Sequence, residues 1–541
     1  MGKRILDFVL KYKIPHYFIF ASLLYIINRR IDALITANQI EFFPEIAYTG
    51  SKIFLDLIFI SIWITCYVLH LRSIHYSSKT EGRSLFKDSR AYDRSYKELV
   101  AHFTHADPHK LDLKNFPEET WRESSGIIFG KYGNKLIKLD SGAEGNILVL
   151  GSPGSRKTSG VAIPSAARFG GSVLAIDIKG DIYNYNKHHR DILRFCPDIP
   201  NALEESCHFN PFHNIHLMTE TDRKIFIENM ARLLIPDEGG TDGNYFSSRA
   251  RKFFAGITHY LLYLKPSVTF PEIIHAILHP GMYKNLPKTP FEWVTTILES
   301  ECMAAIEQVG SMYGNNEKNI SGCWDAACSA LIPYSNEVLD ILLDGKGPCI
   351  SIDALEHGYD CYLQISQEHL DAYAPLFTLI IDSMLTQFTK RPDTSTGHKN
   401  RPILVLLDEC PQLSFRERDL NRALSTLRSK SINLMLIAQS KSQFEKKYGP
   451  NGTGSIFGNC SYQLILSCID GASQRYFSNL IGSRKVLQTS NSFSTNSSGR
   501  NIQETTEPIF YPEDFGDLGD NLVIYYNGKY ILAEKISCYA P

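Results

Sequence analysis

Two short stretches carry residue types suited to nucleotide chemistry. The first, 151–158, reads GSPGSRKT directly after the apolar ILVL. Glycines, a lysine and a hydroxyl at this spacing build a phosphate-binding loop, in which backbone N–H groups and a helix N-terminus converge on phosphate oxygens. Lys157 then reaches the phosphates and the Thr158 hydroxyl holds Mg2+. Gly151, Ser152, Pro153, Gly154, Ser155, Arg156 and Ser159 complete the cradle. The second stretch, LLDE at 406–409, ends an apolar run in two acids. Asp408 is suited to support Mg2+ and Glu409 to polarise an attacking water, so ATP with Mg2+ is the expected ligand pair. Alone, LLDE reads as a strand ending in solvated charges; the loop upstream favours the chemical reading.

Arg156 breaks the pattern. Glycine normally precedes the lysine because it folds tightly around phosphate with no β-carbon in the way. An arginine there must point outward or compete for the phosphates. Its charge is compatible with binding, and its expected cost falls on turnover or loop geometry.

The elements that must position these residues are legible as apolar runs. ILVL (147–150) reads as a buried strand, followed by the loop and a helix over SGVAIPSAARF. SVLAIDIKGD (172–181), RPILVLLDECPQL (401–413), INLMLIAQS (432–440) and SYQLILSC (461–468) read as further strands. Strand, glycine-rich turn, helix and strand open a doubly wound α/β nucleotide domain. A helical period without β runs marks 266–344 as an inserted all-α domain. It divides the nucleotide domain into 81–265 and 345–541. The Ser/Thr/Asn-rich stretch 487–508 reads as an exposed polar loop, and the last thirty residues as strands.

Residues 1–80 differ in character. Two apolar stretches, 14–27 and 53–71, approach the ~20 residues that a bilayer-spanning helix needs. The first also reads as a signal peptide or a buried helix; no small-residue cleavage site follows it, and two transmembrane helices are expected. Lys3, Arg4, Lys11 and Lys13 precede the first stretch, and Arg72, Lys79 and Arg83 follow the second. They outweigh Arg29, Arg30 and Lys52 between the two, which places both ends and the bulk of the chain in the cytoplasm. Asp56 lies within the second stretch, either as a functional acid or as a helix-pairing group.

Composition excludes some classes. With 21% charged and 43% hydrophobic residues, the chain is an ordinary globular protein outside its N-terminus. A net charge of −2 excludes a generally basic nucleic-acid binder and leaves local patches or a pore lining. Its 12 cysteines are scattered, and even Cys323 and Cys328 lack zinc-ligand spacing, so free thiols are expected.

Taken in order, these segments resemble the coupling ATPases of type IV secretion and conjugation, the TraG/TraD-like family. The resemblance rests on the loop with VAIPSAARFGGSVLAIDIKGDIY, which includes Asp177, Lys179, Gly180 and Asp181. CHFNPF (207–212), LLDECPQL and LRSKSINLMLIAQSKSQFEKKYG carry it further. It implies a RecA-like P-loop NTPase core with an inserted all-α domain and two N-terminal transmembrane helices. It implies that Lys157 and Thr158 bind nucleotide and Mg2+, that Asp408 and Glu409 form the hydrolytic pair, and that Gln439 senses the γ-phosphate. Arg428 matches the arginine presented to a neighbouring subunit's nucleotide, and reads equally as a surface helix charge. Asp177 and Lys179 are either nucleotide- or DNA-side groups or shapers of a turn.

The implied assembly is a membrane-anchored ring, typically a hexamer. It would bring relaxase-bound single-stranded DNA, or a protein, to the inner-membrane components of a secretion channel and power transfer. No long acidic tail follows the last strand, so a relaxase contact is expected elsewhere. Two other readings stand beside this one: a secretion-substrate receptor that has lost turnover through Arg156, and a double-stranded DNA pump of the segregation type. A long helical insertion is not expected in the latter.

Overall fold

Strands buried on both faces need helices above and below, a situation that parallel sheets satisfy. A computed structural model shows this arrangement. It describes residues 125–538 apart from 134, 214, 238–239, 316 and 495–496, together with 104–106. The apolar stretches 14–27 and 53–71 lie outside the described residues. Among the described residues no helix is long and apolar enough to cross a membrane.

The strands are β1 (Thr104–Ala106), β2 (Ile127–Tyr132), β3 (Lys135–Leu139), β4 (Ile147–Leu150), β5 (Ser172–Asp177), β6 (Ile192–Phe195) and β7 (Asp360–Gln364). They continue with β8 (Ile403–Leu407), β9 (Ile432–Ala438), β10 (Tyr462–Ile465), β11 (Ser483–Ser494), β12 (Ser497–Pro508), β13 (Asn521–Tyr526) and β14 (Lys529–Glu534). All but β11 and β12 form one sheet in the order β1-β3-β2-β14-β13-β10-β4-β9-β8-β5-β7-β6. From β10 to β6 every pairing is parallel, and the remainder is antiparallel. β4, β5, β8 and β9 are buried along their whole length. Their apolar runs contribute to a core with Phe129, Phe169 and Tyr462.

Around this sheet lie α1 (Ile163–Arg168), which follows the loop, and α2 (Asp181–Asn186), which follows β5. Between β6 and β7 the chain leaves the sheet and forms α3 (Glu220–Leu234), α4 (Gly240–Leu264), α5 (Phe270–Leu278), α6 (Pro290–Leu298), α7 (Met303–Val309), α8 (Glu317–Leu331) and α9 (Glu337–Leu342). Thr219, Thr269, Thr289 and Asn336 cap four of these helices by accepting backbone N–H bonds. Back in the core follow α10 (Leu370–Phe388), α11 (Glu417–Thr426), α12 (Lys441–Gly458) and α13 (Gly471–Ile481).

Two expectations need correction. The helical run opens at Glu220 rather than at 266. α4 is the centre of the helical group, because Phe253 meets Trp324 edge-on at 5.6 Å and Tyr260 meets Trp293 at 6.2 Å. Gly256 lets α7 approach α4, since a β-carbon there would lie 2.7 Å from Val309 Cγ1. The apolar face of α4 thus packs on helices rather than on the sheet, which its own period does not reveal. The second correction concerns 487–508. These residues belong to a two-stranded ribbon, in which β11 and β12 pair in register from Ser483↔Pro508 to Ser494↔Ser497. Backbone pairing supports strands here without an apolar period. The described cysteines are all free thiols.

One buried ion pair ties the start of β7 to the turn before β5. Arg190 Nε and Nη2 donate to Asp360 at 2.5 and 2.8 Å, and Arg190 also bonds the carbonyls of Phe169 and Gly171. Asp360 in turn accepts the Val173 N–H at 2.8 Å. Removing one partner strands the other charge in a dry site. Asp360→Ala should therefore lower unfolding free energy by roughly 3–5 kcal/mol, read as a reduced denaturant midpoint.

Candidate functional site

Because β4, β9, β8 and β5 are adjacent and parallel, their C-terminal ends emerge along one edge. Register sets Leu150 beside Ala438, Leu407 beside Leu436, and Ile176 beside Leu407. The residues that follow these ends meet in a cavity of about 340 Å³ lined by the loop, Asp177, Lys179, Asp181, Gln367, Asp408, Glu409 and Gln439. Ligands of open α/β sheets bind at such an edge.

The loop folds as its glycines require. A β-carbon at Gly151 would lie 2.5 Å from Ser155 Oγ, and Gly154 has φ +77°. Gly151 N–H donates to Ala438 O and Ser152 N–H to Ser467 O, which hangs the loop on β9 and on the end of β10. A π-turn, Thr158–Ala162, then leads into α1. Arg156 adopts φ 72°, the left-handed conformation that glycine would take. Its guanidinium points outward to Asp520, with Nη1–Oδ1 at 3.1 Å. The loop therefore keeps its shape despite the arginine.

Lys157 is buried, and its Nζ donates to Gly151 O at 2.6 Å and Ser152 O at 3.3 Å. Burial lowers its pKa below the ordinary lysine value, opposed by the charges of Glu409 and Asp408. Opposite it, burial raises the Asp408 carboxyl to about 7, helped by neighbouring Glu409 and Asp177. Asp177 is also raised by burial, to about 6, while its Oδ2 accepts the Tyr183 N–H at 2.7 Å. Asp177 thus shapes the turn into α2 and also faces the cavity. Glu409 takes a left-handed φ of 47°. Gln439 Nε2 donates to Glu409 Oε1 at 2.8 Å, and Gln412 Nε2 lies 3.4 Å from its Oε2. The glutamate is held at the mouth of the acid pair, with Gln439 between it and the loop.

These groups fit a nucleotide with Mg2+. Among the described residues no cluster of three or more His, Cys, Asp or Glu could hold a metal. Mg2+ needs none, since one or two protein ligands plus phosphate oxygens and waters suffice. Thr158 and Asp408 line the same cavity. The buried Ser155 Oγ has no protein partner, which leaves a polar atom inside the loop for a ligand to satisfy.

Arg428 does not join this cavity. It opens the turn Arg428–Lys430 before β9, at the opposite edge of the sheet and about 23 Å of strand from Gln439. Its Nε lies 3.9 Å from Glu144, and both side chains are more than half exposed. Gln367 lines the cavity without having been anticipated. It follows β7, and only the placement of that strand beside β5 brings it there.

A family model described as Type IV secretory system Conjugative DNA transfer matches residues 92–540. The chain belongs to this family. Similar members of known name include VirD4 of Agrobacterium fabrum, 24% identical over 418 residues that make up 74% of this chain and 60% of that protein. A probable conjugal transfer protein TraG of Sinorhizobium fredii is 23% identical, over 75% of this chain and 64% of that protein. The chain thus spans less than two thirds of these relatives. Among solved structures, TrwB with a non-hydrolysable ATP analogue aligns with TM-score 0.57 at 15% identity, covering 81% of this chain and 96% of that one. TrwB with ADP and Mg2+ aligns equally well, at TM-score 0.57 and 15% identity over 81% of this chain and 95% of that one. This chain therefore has the TrwB-like α/β fold with a mixed sheet.

The raised acids have a measurable consequence. A carboxyl whose folded pKa lies above its unfolded value binds protons more tightly when folded, so stability falls as pH rises through that interval. Nucleotide- and metal-free protein should lose stability between pH 4 and 7, windows set by Asp408 at about 7 and Asp177 at about 6. Asp408→Asn should flatten this slope and raise the melting temperature at pH 8, while Mg2+-dependent stabilisation by ATP is lost.

Proposed function

We propose that this chain is the coupling ATPase of a conjugative type IV secretion system. It hydrolyses ATP to drive relaxase-bound single-stranded DNA, protein substrates or both into the channel. The observation that carries the reading is the convergence of Lys157, Thr158, Asp408, Glu409 and Gln439 on one cavity in a chain of the conjugative DNA-transfer family. Lys157 binds the phosphates, and Thr158 and Asp408 hold Mg2+, which when bound neutralises phosphate charge. Glu409 orients and polarises the attacking water, and Gln439, hydrogen-bonded to Glu409, senses the γ-phosphate. TrwB, the fold relative, has been captured with an ATP analogue and with ADP and Mg2+.

The active form in this proposal is a homo-oligomeric ring, a hexamer, anchored in the cytoplasmic membrane through 14–27 and 53–71 with its bulk in the cytoplasm. Arg428 serves the neighbouring subunit's nucleotide. Its exposure and its distance from its own cavity support a role in trans. The helical insertion, which exposes Met282, Met303, Tyr313 and Ile332, receives substrate.

The test is ATP turnover by the full chain in detergent or lipid discs, with and without single-stranded DNA. Glu409→Gln should lower turnover at least ~100-fold with ATP binding retained, whereas Lys157→Ala should lose binding. Arg428→Ala should cut turnover roughly 1,000-fold while each subunit still binds ATP. Wild-type turnover no higher than that of Glu409→Gln overturns the enzyme reading. Unchanged element transfer from cells lacking the gene overturns the conjugative one.

A further inference from the structure

Arg156 stands where a phosphate loop has glycine, and it does two things at once. Its backbone holds the left-handed φ of 72°, and its side chain borders the nucleotide cavity while pairing with Asp520. Asp520 lies just before β13, and its side chain is 82% exposed against 48% for Arg156. The pair is therefore solvated and easily exchanged. A nucleotide's phosphates, set against the loop, offer the same guanidinium more negative charge and a forked acceptor in a less hydrated place.

The surroundings of Asp520 give such an exchange a direction. Residues 535–538 run across the start of the loop's helix. Cys538 N–H donates to Ser159 O, and Ile536 O sits where a β-carbon on Gly160 would come within 2.6 Å. Lys535 N–H donates to Asp520 O, and Lys535 Nζ bonds Gly519 O and lies 3.3 Å from Ser467 Oγ. Ser467 O in turn accepts the Ser152 N–H of the loop. Burial and the neighbouring Arg156 charge lower the Lys535 pKa, and Asp520, paired with Arg156, opposes the shift.

We propose that Arg156 is a nucleotide-binding residue held in reserve by Asp520: it docks on Asp520 when the loop is empty and exchanges it for the phosphates of a nucleoside triphosphate. Asp520 is a positioning residue that competes with the ligand. The exchange couples occupancy of the loop to the C-terminal segment that crosses it. This rests on the loop being a nucleotide site.

The experiment is a double-mutant cycle on the full chain, reading the affinity of a fluorescent ATP analogue with Mg2+, with Lys157→Ala as the empty-site control. Asp520→Asn should tighten binding roughly two- to fivefold by freeing the arginine, less so at high salt. Arg156→Gly should weaken binding roughly tenfold or more, although glycine suits that backbone better. In the Arg156→Gly background Asp520→Asn should have no effect, and Arg156→Lys should retain part of the affinity. Arg156→Gly binding as tightly as wild type, or Asp520→Asn acting equally in both backgrounds, overturns the exchange and leaves the nucleotide site standing. No difference between wild type and Lys157→Ala overturns both.

Discussion

The parallel pairing of β4, β9, β8 and β5 is the constraint on which the rest depends. Each of these strands is buried on both faces, so the polypeptide must cross over through helices and return in the same direction. Once it does, all four strands end at one edge. The loop and Asp177 become neighbours of the acid pair and Gln439, which lie more than 200 residues further along the chain. The burial that stabilises the sheet also dries that edge. Asp408 and Asp177 then hold their protons more tightly than exposed carboxyls do, and Lys157 holds its proton less tightly. A bound cation and phosphate would supply the charges that water no longer does.

Two points of backbone strain lie at the same edge, while Ser431 and Asn527 carry a positive φ away from it. Among the described non-glycine residues with positive φ are Arg156 and Glu409, and both line the cavity. Such conformations persist only where surrounding contacts hold them. For Glu409 those contacts include Gln439 and the 3-10 turn Cys410–Gln412. For Arg156 they include the N–H of Gly160, donated to its carbonyl. Residues 535–538 therefore border the site, because they pack over the helix that the loop begins.

The helical insertion enters after β6 and returns at β7, so its return limb reaches the sheet directly beside β5. Gln367 leaves that limb and lines the cavity, and α10 follows and packs against α3 of the insertion. Arg416, at the start of α11, also bonds Asn229 of α3 at 3.1 Å. The helical insertion thus touches elements that extend from both sides of the acid pair. Changes at the cavity have contiguous packed neighbours through which to be felt.

Much of this was legible in the residues themselves. The stretches 147–150, 172–181, 401–413 and 432–440 announced buried strands because side-chain burial and strand length are local properties. The loop and the acid pair were legible because phosphate binding demands particular residue types at close spacing. The start of the insertion and the ribbon of β11 and β12 were not. The first depends on which surface α4 packs against, and the second on backbone pairing that leaves no apolar period. Gln367 and Asp520 were invisible for a related reason, since nothing near them in sequence is chemically unusual. The sequence by itself determined the buried strands around the loop and which side chains are capable of chemistry. Only the tertiary structure decided which ends meet, where Arg156 points and which acids are dry, because adjacency and desolvation are set by packing between distant segments.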